Sequence, residues 1–137
     1  MIYLLDTNAA IATMSGNPSS VRDALDDGRA HGHKMVLSVL TVHELWYGVA
    51  KSERKAANTE ALHRLVASGF EVWPFDAEDA EVAGGIRGYL ARAGTPIGPY
   101  DLLIAAQALR REAVLVTANE REFARVRGLK TRNWAKP

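Results

Sequence analysis

Asp6, Glu44 and Asp101 each stand just past an apolar run or a Gly/Pro loop, where a chain turns into a helix. Asp6 follows Ile2–Leu5 directly. Glu44 lies six residues past Ser38. Asp101 follows Gly94-Thr95-Pro96-Ile97-Gly98-Pro99 by two residues, and Thr117, Asn119, Glu120 and Glu122 end a later apolar run. Each acid has a plain structural use. Asp6 could cap the next helix. Glu44 is the fourth residue of Thr41-Val42-His43-Glu44, a capping-box sequence. Asp101 suits the positive end of a helix dipole. Brought together, they are harder to explain that way. Two carboxylates about 5 Å apart repel by roughly 3 kcal/mol at an effective dielectric of 20. A divalent cation offsets that repulsion, and an all-oxygen donor set without cysteine suits Mg²⁺ or Mn²⁺. Such an ion activates water and stabilises charge on a phosphoryl oxygen. His43 reads as a surface or packing residue rather than a ligand. Trp46 and Tyr47 read as core or subunit packing rather than as a base-stacking surface.

The elements that must position these residues are legible as alternation. Ile2–Leu5, Met35–Ser38, Glu71–Pro74 and Ala113–Thr117 are short apolar runs of the kind that form buried parallel strands. Helical periodicity marks Pro18–Ala30, Val42–Ser52, Asn58–Ser68, Ala77–Ala93 and Asp101–Arg111 between them. Strand and helix in turn predict an α/β sandwich with a mostly parallel sheet. Right-handed crossovers put the carboxyl ends of such strands on one edge, where ligands bind. Asp27-Gly28 is expected to close the first of these helices and Gly69 to cap Asn58–Ser68. Gly84-Gly85 interrupts a helical pattern without the Lys-Ser/Thr of a phosphate loop, so close helix packing is the expected reason.

With 137 residues, the chain is one domain, 1–137. A hydrophobic fraction of 47% and a charged fraction of 24% exclude disorder, collagen and coiled coil. Its apolar runs are too short for a membrane helix. Met1 leads straight into the first strand, without a charged-then-apolar leader. No cysteine is present, which removes thiolate chemistry and fits the expectation of a cytoplasmic protein. The net charge of +1 hides an asymmetry: residues 110–137 hold eight Lys/Arg against three acids. Arg121, Arg125, Arg127 and Lys130 are therefore candidate phosphate contacts.

Four blocks resemble the PIN-domain ribonucleases, and more closely their VapC-type toxins: YLLDTNAAI, LSVLTVHELWYGVAKS, GTPIGPYDLLIAAQAL and LVTANEREFARVRGLKTRNW. Together they span essentially the whole chain. The resemblance implies a three-layer α/β/α sandwich and metal-dependent endonucleolytic cleavage of RNA. It maps the acidic cluster to Asp6, Glu44 and Asp101, holding one or two Mg²⁺ or Mn²⁺ ions. The fourth position, usually Asp or Asn, is Asn119 here, with Glu122 nearby. Asn brings no charge, so which of Asn119, Glu120 and Glu122 completes the site stays open at this point. Thr7, Asn8 and Thr117 match positions that orient the acids or a water. The resemblance further implies a homodimer held by central helices, and a small VapB-like antitoxin that blocks the site, often with a basic side chain. No membrane association is expected.

Two other readings start from the same residues. A haloacid-dehalogenase-type phosphatase wants a second Asp two residues after Asp6, where Asn8 stands. A catalytically silent PIN-like module that binds RNA or protein is the alternative function, but it leaves three like charges unused.

Overall fold

The structure, a computed structural model, describes residues 1–136. Five strands form one sheet in the order β3-β2-β1-β4-β5, and every neighbouring pair is parallel. They are β1 Ile2–Leu5, β2 Lys34–Ser38, β3 Glu71–Trp73, β4 Val114–Val116 and β5 Thr131–Arg132. The helices are α1 Thr7–Ser15, α2 Ser19–Ala30, α3 Val39–Ala50, α4 Lys55–Ala67, α5 Ala77–Ala93, α6 Pro99–Arg110 and α7 Glu120–Phe123. The four expected strands and five expected helices are all present. The short pieces α1, α7 and β5 are additions.

Strand side chains alternate between faces, and the two cores follow that alternation. Leu4 and Leu115 pack on one face with Leu90, Leu102, Ile104 and Phe123 of α5, α6 and α7. Leu5 and Val116 pack on the other with Ala10, Leu25, Leu45 and Leu62 of α1 to α4. The result is the expected α/β/α sandwich. β1 is paired on both sides, by β2 and by β4. The strand order reverses at β1, so its carboxyl end is the switch point where an open α/β sheet binds ligands. Asp6 is the first residue beyond that end, and its N–H continues the ladder to Val116 O at 3.0 Å.

Local chemistry corrects three expectations. Gly28 does not end α2, which runs on to Ala30; a Cβ there would lie 2.5 Å from Met35 Cε, so glycine lets the helix approach β2. Gly84 and Gly85 do not serve close packing, since a Cβ on either meets nothing within 4 Å. Helix α3 begins at Val39 rather than after Thr41, because Ser38 caps it, accepting from Leu40 N at 3.1 Å. Gly69 does follow the end of α4 with φ +88°, the left-handed conformation that glycine adopts most easily.

Candidate active site

Asp6 performs its structural duty. Its Oδ1 accepts from Ala9 N–H at 2.8 Å and caps α1. The cap engages one oxygen of a side chain that is nearly buried. Burial raises its pKa above the ordinary carboxylate value and Glu44 adds to the rise; the Thr117 hydroxyl and the Ala9 and Asn8 amides oppose it. Thr117 is in turn the acceptor for Asn119 N–H at 2.9 Å. A short chain of bonds therefore runs from the end of β4 to Asp6. Asn8 is exposed and contributes through its backbone.

Glu44 is not a capping-box residue. With Ser38 as the cap, Glu44 falls in the second turn of α3. It accepts instead from the Thr7 hydroxyl across the site, at 2.8 Å. Thr41, the expected partner in that box, has its Oγ1 buried without a hydrogen bond. Asp101 lies in the first turn of α6, as expected, but makes no cap bond. Its pKa is pushed up to about 6, first by burial and then by the charges of Glu122, Asp6 and Glu44. Four carboxylates from four segments are thus brought within electrostatic reach of one another.

Glu122 receives two bonds: from Gly98 N–H to its Oε1 at 3.1 Å, and from the Asn119 side-chain amide to its Oε2. Glu120 turns the other way and accepts from Thr131 Oγ1 at 3.0 Å. Tyr100, which the sequence did not single out, places its hydroxyl 3.4 Å from His43 Nε2. The two residues adjoin Asp101 and Glu44 in sequence and span the gap between α6 and α3. Trp46 and Tyr47 are exposed on α3 rather than in the core, at 38% and 62%.

The candidate phosphate contacts do not form one patch. Arg121 is exposed beside Glu122. Arg125 donates to Pro96 O at 2.9 Å. Arg127 lies over the Tyr89 ring at 5.9 Å. Lys130 lines a cavity with Met1, Ile2 and Val114, at the amino ends of the strands and opposite the carboxylates. A sum of charge along the chain cannot see that Lys130, just before β5, falls at the opposite end of the strands from the carboxylates.

Tight convergence of three acids is also not what the structure shows. Among the described residues, no group of three His, Asp or Glu side chains is gathered closely enough to hold a metal ion as it stands. Like charges keep apart, and Thr7 draws Glu44 to itself. The donor set still fits a hard divalent cation: its ligands are oxygens, and Asp101, pushed up to about 6 first by burial, also feels negative neighbours that a cation would neutralise. Mg²⁺ in particular keeps several of its waters and needs few direct carboxylates.

A parallel α/β/α sandwich with carboxylates at its switch point defines a class. The PIN domain family matches residues 3–129, and the chain belongs to it. Within that family it falls among the VapC ribonucleases. It is 41% identical over 133 residues, 97% of this chain and 98% of the relative, to the tRNA(fMet)-specific endonuclease VapC of Shigella flexneri. It is 37% identical to Ribonuclease VapC2 of Rickettsia felis, covering 99% of this chain and 100% of that one. Among solved structures, VapBC2 of Rickettsia felis bound to a promoter DNA fragment superposes with a TM-score of 0.91 at 35% identity, covering 98% of this chain and 99% of that one. DNA-bound VapBC of Salmonella typhimurium gives 0.89 at 37%, with 98% of each chain covered.

Proposed function

We propose that this chain is the toxin of a toxin–antitoxin pair, an endoribonuclease that uses Mg²⁺ or Mn²⁺ held by Asp6, Glu44 and Asp101. The observation that carries the reading is the gathering of Asp6, Glu44, Asp101 and Glu122 at the carboxyl edge of the sheet, where burial and then the three neighbouring charges push Asp101 up to about 6; a bound cation offsets such repulsion. A silent binding module would have no use for it.

When bound, a divalent ion supplies an activated water and stabilises charge on the phosphoryl oxygens. The side chains supply position. Ala9 N–H holds Asp6 through Oδ1, and the Thr117 hydroxyl steadies the same carboxylate. The Thr7 hydroxyl fixes Glu44 in the same way. Asp101 keeps both oxygens free of cap bonds. Phosphoryl transfer needs little beyond such positioning and charge. Arg121, exposed and next to Glu122 in the chain, supports a phosphate contact at this edge of the sheet.

The relatives' names support tRNA as the substrate, the initiator tRNA first. The VapBC complexes among the similar structures support a VapB-like antitoxin partner. Exposed Trp46 and Tyr47 on α3 support a protein–protein contact there, with a second copy or with the antitoxin. No helix among the described residues is long and apolar enough to cross a membrane, and a tRNA substrate supports a place in the cytoplasm. The test is cleavage of initiator tRNA, elongator tRNA and ribosomal RNA by antitoxin-free protein and by Asp6→Asn. Cleavage of initiator tRNA by the wild type alone is expected. Equal cleavage by Asp6→Asn would overturn the site.

A further inference from the structure

Two helices in this protein carry an Asp at the third position of their first turn, and the structure treats the two differently. In α5, Asp79 at that position accepts from the N–H of the cap residue Asp76 at 3.0 Å, closing a capping box. In α6 the cap residue is Gly98 and the third position is Asp101. An acid there ordinarily turns back to the cap N–H. Asp101 does not, because the Gly98 N–H donates to Glu122, 24 residues later in the chain, at 3.1 Å. The second oxygen of Glu122 is engaged by the Asn119 side-chain amide. One helical turn on, Arg125 grips Pro96 O of the same loop at 2.9 Å.

We propose that Glu122 is a positioning residue that takes over the capping bond at Gly98 and so frees the Asp101 carboxylate for the acidic cluster, with Asn119 as the amide that completes the strap. This rests on the reading of Asp101 as a metal-holding carboxylate. Both Glu122 oxygens are engaged by donors of the chain, the arrangement of a carboxylate that acts through Asp101. The neutral Asn119 follows from the same arrangement: a carboxylate there would repel Glu122, whereas the amide donates to it. Without the strap, the Gly98 N–H is an unpaired donor only three residues from its alternative acceptor, and Asp101 falls back onto it.

Two conservative variants separate reach from charge. Glu122→Gln keeps the length and an acceptor oxygen for Gly98 and loses the charge; its amide nitrogen can donate to a flipped Asn119. Glu122→Asp keeps the charge and is one methylene too short to reach Gly98. The measurements are the Mn²⁺ dissociation constant by electron paramagnetic resonance, and kcat and KM for cleavage of bulk tRNA. The strap predicts that Gln stays within about threefold of wild type in Mn²⁺ affinity and kcat, while Asp loses about tenfold in both with KM unchanged. The opposite order would make Glu122 a ligand, and equal behaviour of the two variants would make the strap idle; either overturns the proposal. Wild-type protein that binds Mn²⁺ but cleaves no RNA would defeat the nuclease reading, while the order of Mn²⁺ affinities still decides the strap.

Discussion

Replacing Asp101 by Asn should destroy activity and stabilise the metal-free fold. The ordinary aspartate value is 3.8, and the folded protein holds Asp101 at about 6. Each unit is worth about 1.4 kcal/mol, so the ionised form is disfavoured on folding by about 3 kcal/mol. Asp101 is half-buried, and solvent screening reduces this to about 2 kcal/mol. The sign follows from proton counting. Between pH 3.8 and about 6 the folded protein binds more protons at this residue than the unfolded chain does, so wild-type stability falls as pH rises through that window. Asn has no such loss. The two proteins should melt together near pH 4 and diverge above pH 6, with the variant higher by about 8 °C for a chain of this length. The assay is thermal or urea unfolding from pH 4 to pH 8 in EDTA. Excess Mn²⁺ should then close the gap by stabilising the wild type alone. A gap that is absent at pH 8, or that is the same at pH 4 and pH 8, would refute the charge cluster.

The remaining predictions follow from named contacts. Glu44→Gln should abolish cleavage and leave the melting temperature within a few degrees of wild type, because α3 is capped by Ser38; full activity would return Glu44 to a structural role. Thr41→Val should raise stability by about 1 kcal/mol, since it removes a buried hydroxyl that has no partner; a loss measured by urea unfolding would show an unrecognised bond. Asp79 is driven to about 2 because hydrogen bonds from Arg111, the Asp76 amide and Arg110 outweigh its burial. Its depressed value means stability is present above pH 3.8 and is lost as pH falls towards 2. Asp79→Asn should therefore cost about 2 kcal/mol at pH 7, by the same 1.4 kcal/mol per unit, and flatten the acid limb of the unfolding curve. Arg121→Gln should reduce the salt dependence of RNA binding by about one unit of slope, and Lys130→Gln should leave it unchanged; the reverse result would put RNA on the opposite edge of the sheet.

Much of this architecture is written in the sequence because its central strands are buried. Ile2–Leu5, Met35–Leu37 and Val114–Val116 are continuous apolar runs for that reason, whereas the edge strand β3 opens on the exposed Glu71. The edge strand Thr131–Arg132 is two residues long and polar, and nothing in its composition marks it. Helix α1 had only the capping position of Asp6 to mark it, because Thr7–Ser15 has no strong amphipathic pattern: it packs Ala9 and Ala10 into the core. At the site, Asp6 and Asp101 could be placed by position relative to strand and loop. The error at Glu44 came from reading Thr41 as the cap, when Ser38, at the end of its strand, reaches Leu40 N–H first. The bonds from Thr7 to Glu44 and from Gly98 to Glu122 join residues 37 and 24 apart, and spacing along the chain carries no trace of either.

If these carboxylates hold a divalent cation for cleavage of RNA, activity follows the metal. Antitoxin-free protein is stripped with EDTA, initiator tRNA is added, and Mn²⁺ is then titrated while the cleavage rate is followed. We expect no cleavage in chelator, a saturable return of activity with added Mn²⁺, and no return in Asp6→Asn at any concentration. Cleavage that continues undiminished in excess EDTA would contradict this role of the carboxylates.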